Sequence, residues 1–337
     1  MRAGSVSLDR IDVLPDVPDP APARHEVLVR TVLAGICGSD VHARHGRHPF
    51  IALPYRPGHE VVGVVVSTGL EVTGFQPGQR VTLEPDLPCW HCKMCRTGRQ
   101  NLCENLRFFG CGWPQGAMAE RFTIAARQLH VLPDGMSDEA AALVEPLASP
   151  VHAVGLAGEV ADRTVVVLGA GTIGLLLVRL LRDRGARRVV VTNRGPGKRA
   201  RALALGADAA IDGAAPDLVT RVRAELGESA DVVFDCVATE ATTRQAIELA
   251  GQGGTIVVLG VPAAEITLPL PLIQDRQLRL QGSATYLPDD FTEAIRLLEA
   301  GVVDPADFIT AVVGLDDLAH GFELAESPEH VKVLVHP

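Results

Sequence analysis

Between residues 164 and 259 the chain alternates β-branched apolar runs with amphipathic stretches, at a spacing that leaves little choice of fold. Residues 165–168, 188–192, 232–236 and 255–259 have strand character, and 173–184, 198–205 and 242–249 have helical character. Strands separated by single helices predict parallel βαβ units in a doubly wound α/β sheet. The first strand-to-helix turn carries Gly169-Ala-Gly171-Thr172-Ile173-Gly174. In that setting Gly169 permits the tight turn and Gly171 lets backbone approach a pyrophosphate. Gly174 lets the helix pack against the sheet, and the helix N-terminus attracts the negative charge. Such a glycine pattern is weak alone. A strand before it and a helix after it make dinucleotide binding, through Gly169, Gly171, Thr172, Ile173 and Gly174, the stronger reading than packing.

In this arrangement the second strand ends on an acid that binds the ribose hydroxyls of NAD. Here it ends in Thr192-Asn193-Arg194, with Lys198 and Arg199 next. Asn193 lacks the charge that would repel a 2′-phosphate, and Arg194 with Lys198 or Arg199 could neutralise one. The pattern favours NADP over NAD. The alternative is that Asn193 hydrogen-bonds both ribose hydroxyls while the basic side chains stay solvated.

The first third of the chain has a different texture. Short β-branched runs at 26–34, 61–67 and 80–83, with Gly-Phe-Gln-Pro-Gly turn chemistry at 74–78, predict a β-rich domain. From it emerges a loop with Cys89, Cys92, Cys95 and Cys103. Four thiolates at this spacing fit a closed, structural zinc site. The chain's 7 cysteines are an odd number, with no apolar signal segment before them, so a reducing cytoplasm suits them better than disulfides.

Three further pieces fit a second zinc. Cys37 lies in Gly35-Ile-Cys37-Gly-Ser39-Asp40-Val-His42, His59 precedes Glu60, and Glu145 precedes Pro146. One thiolate, one imidazole and a carboxylate make a catalytic site with an open fourth position. Zinc with Cys37, His59 and one glutamate is formally neutral, whereas both Glu60 and Glu145 would leave it negative. One carboxylate is therefore expected to bind directly and the other to stand off or exchange.

Taken together, these motifs resemble the zinc-dependent medium-chain alcohol dehydrogenases, in their polyol (sorbitol) and threonine dehydrogenase branch. Gly58-His59-Glu60-x-x-Gly63 with Gly69 and Val72, the four-cysteine lobe, Glu145-Pro146-Leu147 and the glycine motif occur in the family's order. The resemblance implies a GroES-like catalytic domain at 1–148 with the zinc lobe at about 85–104. It also implies a Rossmann domain at 149–285 and a C-terminal segment, 286–337, returning to the catalytic domain. By the same resemblance Cys37, His59 and a glutamate hold the catalytic zinc, and Glu145 stands where classical alcohol dehydrogenases have a second cysteine. Ser39 would contact the reacting oxygen, His42 would end a proton relay, and Asp40 would orient the ligand histidine. Asn193, where an aspartate is usual, departs from the family.

The expected reaction is hydride transfer between a secondary alcohol and NAD(P), giving the ketone, with two zinc ions per chain. A polyol, cyclitol, vicinal diol or amino alcohol suits a pocket carrying Glu145; His48, Phe50, Phe109, Cys111, Trp113 and Tyr286 are pocket candidates by position. A zinc-free quinone or enoyl reductase of the same superfamily is opposed by Cys37, His59 and the cysteine lobe. A relative that keeps zinc and nucleotide without chemistry is the other alternative. With 4% aromatic residues and a net charge of −10, nucleic acid is a poor partner. Glycines and Arg179 interrupt the most apolar stretch, so no membrane span is expected. A cytoplasmic homo-oligomer, tetramer or dimer, completes the expectation.

Overall fold

The computed structural model describes residues 1–337. It divides into two units, Met1–Pro146 with Tyr286–Pro337, and Leu147–Thr285. The first junction thus falls two residues before the expected 148.

In the first unit, strand Glu26–Ile36 is the axis of a seven-stranded sheet. Its side chains alternate between buried and partly exposed over most of its length, as a strand with one wetter face requires. Strand Glu60–Thr68 pairs with it antiparallel, setting Gly35 opposite Glu60. On its other side lies the last strand of the chain, Lys332–His336, with Val333 opposite Ile36. These two registers bring Lys332, Ile36 and Glu60 to the same end of three neighbouring strands, from positions 272 residues apart along the chain. The core beneath is apolar, with Val29, Ile36, Val61, Val65, Phe109, Phe122 and Phe322 buried together.

The second unit is a six-stranded sheet whose paired strands are all parallel. Its order is Ala209–Asp212, Arg188–Asn193, Thr164–Leu168, Ala230–Asp235, Ala250–Val258 and Arg279–Gly282. This is the doubly wound arrangement in which the strand order reverses beside the first strand. Val165, Val166, Val167 and Leu168 are fully buried, which is why that strand shows no polar alternation.

Several elements differ from the sequence expectation. Helix Val144–Ala157 runs through Pro150, a residue type that ordinarily breaks a helix or stands in its first turn. Leu147, Ala148, Val151, Ala153 and Val154 are buried along it, and that packing offsets the backbone bond the proline cannot make. Short strands Ala3–Ser7, Arg10–Leu14, Ala209–Asp212 and Arg279–Gly282 lack a readable pattern, and helices Leu218–Leu226, with Leu218, Val222 and Leu226 buried at helical spacing, and Leu318–Glu326 add to the expected elements. Edge strands of four or five residues bury too little to show a clear periodicity. No helix is long and apolar enough to cross a membrane.

Candidate active site

Cys37 follows the axial strand and caps helix Gly38–Arg44. Its backbone amide donates to Asp40 Oδ2 at 3.1 Å, so the acid three residues on holds the turn that presents the thiol. The ligand atoms of Cys37, His59 and Glu60 lie within 4.8 Å of one another. His59 is 3% exposed and Glu60 1%, while Cys37 is half-buried, so the cluster is withdrawn from water on the His59 and Glu60 side.

Glu60 is not free. Both of its oxygens accept from Lys332 Nζ at 2.6 Å, and the same ammonium donates to the Ile36 carbonyl at 3.0 Å. Three donors meet three acceptors, so the buried lysine is saturated. Burial opposes its charge, but Glu60 and Cys37 more than compensate and hold its pKa above the ordinary value. Gly35 makes room for the carboxylate, since a Cβ there would overlap Glu60 Oε2. This cation is not visible in the sequence around the zinc-ligand candidates. With Lys332 present, a divalent ion, the Cys37 thiolate and both glutamates sum to zero, so neutrality no longer requires one carboxylate to stand off.

Glu145 is buried and accepts from the Tyr286 hydroxyl at 2.5 Å. Burial, reinforced by Glu60, raises its pKa to about 7, against the opposing pull of His59, Tyr286 and Lys332. It lies outside the tight cluster of Cys37, His59 and Glu60.

His59 Nδ1 lies 3.3 Å from Cys111 Sγ. Asp40, expected to orient this ring, is fully buried and spends Oδ1 on the Tyr55 hydroxyl at 2.7 Å and Oδ2 on the Cys37 amide. Burial disfavours a charged His59, yet Cys111 and Asp40 beside it hold its pKa well above the usual value. Ser39 is half-buried in the first turn of the helix that Cys37 caps, and His42 is exposed one turn on.

Of the pocket candidates, Phe109 is a core residue packed on Phe122, and Trp113 stacks under Arg107 at 4.4 Å against the core. Phe50 is 81% exposed. Lys332, Tyr55 and the contact of Cys111 with His59 carry no local signature in the sequence. A lysine opening an apolar strand is itself visible, but nothing in sequence names its partner.

Cys89, Cys92, Cys95 and Cys103 gather their sulfurs within 4.8 Å, and all four are free thiols. Cys92 Sγ lies 3.5 Å from Cys95 Sγ and 3.9 Å from Cys103 Sγ. A tetrahedral zinc with bonds of about 2.3 Å needs sulfurs about 3.8 Å apart, so the donor set fits. The Cys103 sulfur also accepts from the Cys89 and Asn105 amides, and the His91 amide draws the Cys89 thiol down to about 6.

In the second unit, Gly169 has φ +99° and its amide donates to the Thr192 carbonyl. A Cβ on Gly174 would overlap the Gly169 carbonyl, whereas one on Gly171 would meet only open space. That is the cradle a pyrophosphate needs before helix Thr172–Asp183. Asn193 braces it: Oδ1 accepts from the Ala170 amide at 3.2 Å and Nδ2 donates to the Gly195 carbonyl at 3.3 Å. Arg199 is committed to the Asn193 and Arg194 carbonyls and to Asp212, while the side chains of Arg194 and Lys198 make no hydrogen bond or ion pair.

Known proteins bear on both units. Residues 23–134 match the alcohol dehydrogenase GroES-like domain and residues 172–300 the zinc-binding dehydrogenase domain. D-xylulose reductase A of Aspergillus niger is 33% identical over 330 residues, covering 96% of this chain and 91% of that protein. A zinc-binding dehydrogenase of Sinorhizobium meliloti 1021, bound to NADP, superimposes with a TM-score of 0.92 at 34% identity, over 100% of this chain and 99% of that one. The 2R,3R-butanediol dehydrogenase of Bacillus subtilis does so at 0.91 and 28%, with the same coverage. The chain belongs to the zinc-dependent medium-chain alcohol dehydrogenase family, in its polyol-type branch. It is an NAD(P)-dependent zinc enzyme that interconverts a secondary alcohol and its ketone.

Proposed function

We propose that the chain oxidises a vicinal secondary diol of the polyol class, with NADP⁺ preferred over NAD⁺. The single observation that carries the active-site reading is the buried, charge-balanced cluster of Cys37, His59 and Glu60 with Lys332. The polyol reading rests on the substrates named for D-xylulose reductase A and butanediol dehydrogenase, together with Glu145, a buried carboxyl poised near neutrality.

Cys37, His59 and Glu60 would hold the catalytic zinc, with Glu145 the carboxylate that would exchange with Glu60. The ion supplies Lewis acidity that makes a hydroxyl proton easier to remove. Ser39 is placed to take that proton and His42 to hand it on to solvent; a bound nicotinamide would supply the hydride acceptor. Tyr286 holds Glu145 in one orientation by its 2.5 Å hydrogen bond. Gly169, Gly171, Thr172, Ile173 and Gly174 receive the pyrophosphate, and Arg194 with Lys198 receives the 2′-phosphate. Cys89, Cys92, Cys95 and Cys103 hold the structural zinc. The enzyme acts as a cytoplasmic homo-oligomer, a tetramer or a dimer.

The test is an absorbance assay for reduced nicotinamide over polyols, cyclitols, threonine and simple alcohols, each with NAD⁺ and NADP⁺. Higher kcat/KM on a vicinal diol than on ethanol is the expected result. Higher efficiency on ethanol than on every polyol sinks the substrate class.

A further inference from the structure

We propose that Cys111 is the positioning residue of His59: its sulfur accepts the Nδ1 hydrogen of the ring, which leaves Nε2 for the metal. The inference rests on His59 being a catalytic zinc ligand and adds the group that orients it.

Imidazole ligands need a hydrogen-bond partner on the second nitrogen, which selects the tautomer and stops the ring rotating. The partner expected from the family resemblance is Asp40, but each of its oxygens already serves another donor, Tyr55 or the Cys37 amide. The sulfur of Cys111, 3.3 Å from Nδ1, is the hydrogen-bonding atom set against that nitrogen. Both residues are buried, at 3% and 7% exposure, so no water substitutes readily. The ring is also flanked edge-on by Phe108, with centroids 5.4 Å apart.

The backbone around Cys111 is shaped for this approach. Gly110 has φ +76°, and a Cβ on it would overlap the Gly58 carbonyl, so residues 110–111 lie directly on the segment that carries His59. The Ala117 amide donates to that same Gly58 carbonyl at 2.9 Å, and the Cys111 amide to the Phe108 carbonyl at 3.3 Å. The thiol is therefore held by a fixed loop. Asp40 keeps a different task, bracing the turn that presents Cys37. Orientation of the imidazole passes to sulfur, a weaker and longer-reaching acceptor than a carboxylate.

The experiment uses the full-length holoenzyme and three variants: Cys111→Ala, Cys111→Ser and Cys111→Val. Zinc release to a chromogenic chelator is followed, and the visible spectrum is recorded after cobalt replaces the catalytic zinc. The Ala variant is expected to release one of the two ions on the order of 10-fold faster and to shift the cobalt d–d bands. The other ion, in the four-cysteine lobe, should leave at the wild-type rate. Ser, whose hydroxyl still accepts, should restore both readouts; Val, which preserves volume without an acceptor, should resemble Ala and serves if Ala does not fold. Wild-type release and spectrum in Ala and Val overturn the proposal, and so does a Ser variant no better than Val. A wild-type protein that carries only the lobe zinc overturns the ligand role of His59 itself, and this inference with it.

Discussion

Lys332 Nζ lies 2.6 Å from both oxygens of Glu60, in a pair whose side chains are 2% and 1% exposed. It is the counterion that lets a glutamate sit beside Cys37 and His59 in the protein interior. Desolvating two charges is costly, so such a pair is poor evidence of net stability, but breaking it strands a charge. Lys332→Met is expected to lower unfolding stability by about 3–5 kcal/mol. Adding Glu60→Gln to it should recover a large part of that loss. Denaturant midpoints of the single and double variants measure this, and full additivity would contradict the pairing.

Tyr286→Phe removes the hydroxyl that bonds Glu145 and leaves a buried carboxyl oxygen without its donor. The cost should be about 1–3 kcal/mol, seen as a lower melting temperature. kcat should fall more than KM changes, because the expected defect is in the orientation of Glu145. Unchanged kcat would detach Glu145 from the chemistry.

Arg194 and Lys198 are the two uncommitted cations after strand Arg188–Asn193, whereas Arg199 is engaged in holding the turn. Arg194→Ala with Lys198→Ala should shift the kcat/KM ratio from NADP⁺ toward NAD⁺ by about tenfold or more, the loss of a charge-assisted phosphate contact being worth at least about 1.5 kcal/mol. Arg199→Ala should instead weaken both cofactors together. An unchanged ratio in the double variant would return the cofactor preference to Asn193.

Cys103→Ser removes one of four thiolates from the lobe. Zinc content should fall from two ions per chain to one, and residues 85–104 should become the first site of proteolysis, because metal affinity and local folding are the same free energy there. Limited proteolysis with metal analysis reads both. A lobe that stays resistant without its zinc would mean that packing alone orders it.

The parts of this site legible in sequence are those whose chemistry is local. Cys89, Cys92 and Cys95 are spaced to converge whatever the rest of the chain does, and Gly169 to Gly174 form one turn between a strand and a helix. Cys37, with Asp40 three residues on, is likewise a single helix start. Helix Val144–Ala157 is not legible at Pro150 for the opposite reason: local propensity opposes it, and burial of its apolar face decides. That both ends of the Asn193 amide bond to the turn, at Ala170 and Gly195, is invisible in sequence.

Local order along the chain, then, determined the parallel alternation, the zinc lobe, the glycine turn and the set of metal-seeking residue types. Sheet register decided the rest. Lys332 meets Glu60 only because Val333 pairs with Ile36 and Gly35 with Glu60. Cys111 reaches His59 only because Gly110 lets one loop lie on another. Charge balance and ring orientation are properties of distances between remote residues. Periodicity along a chain carries no information about those distances until the strands have paired.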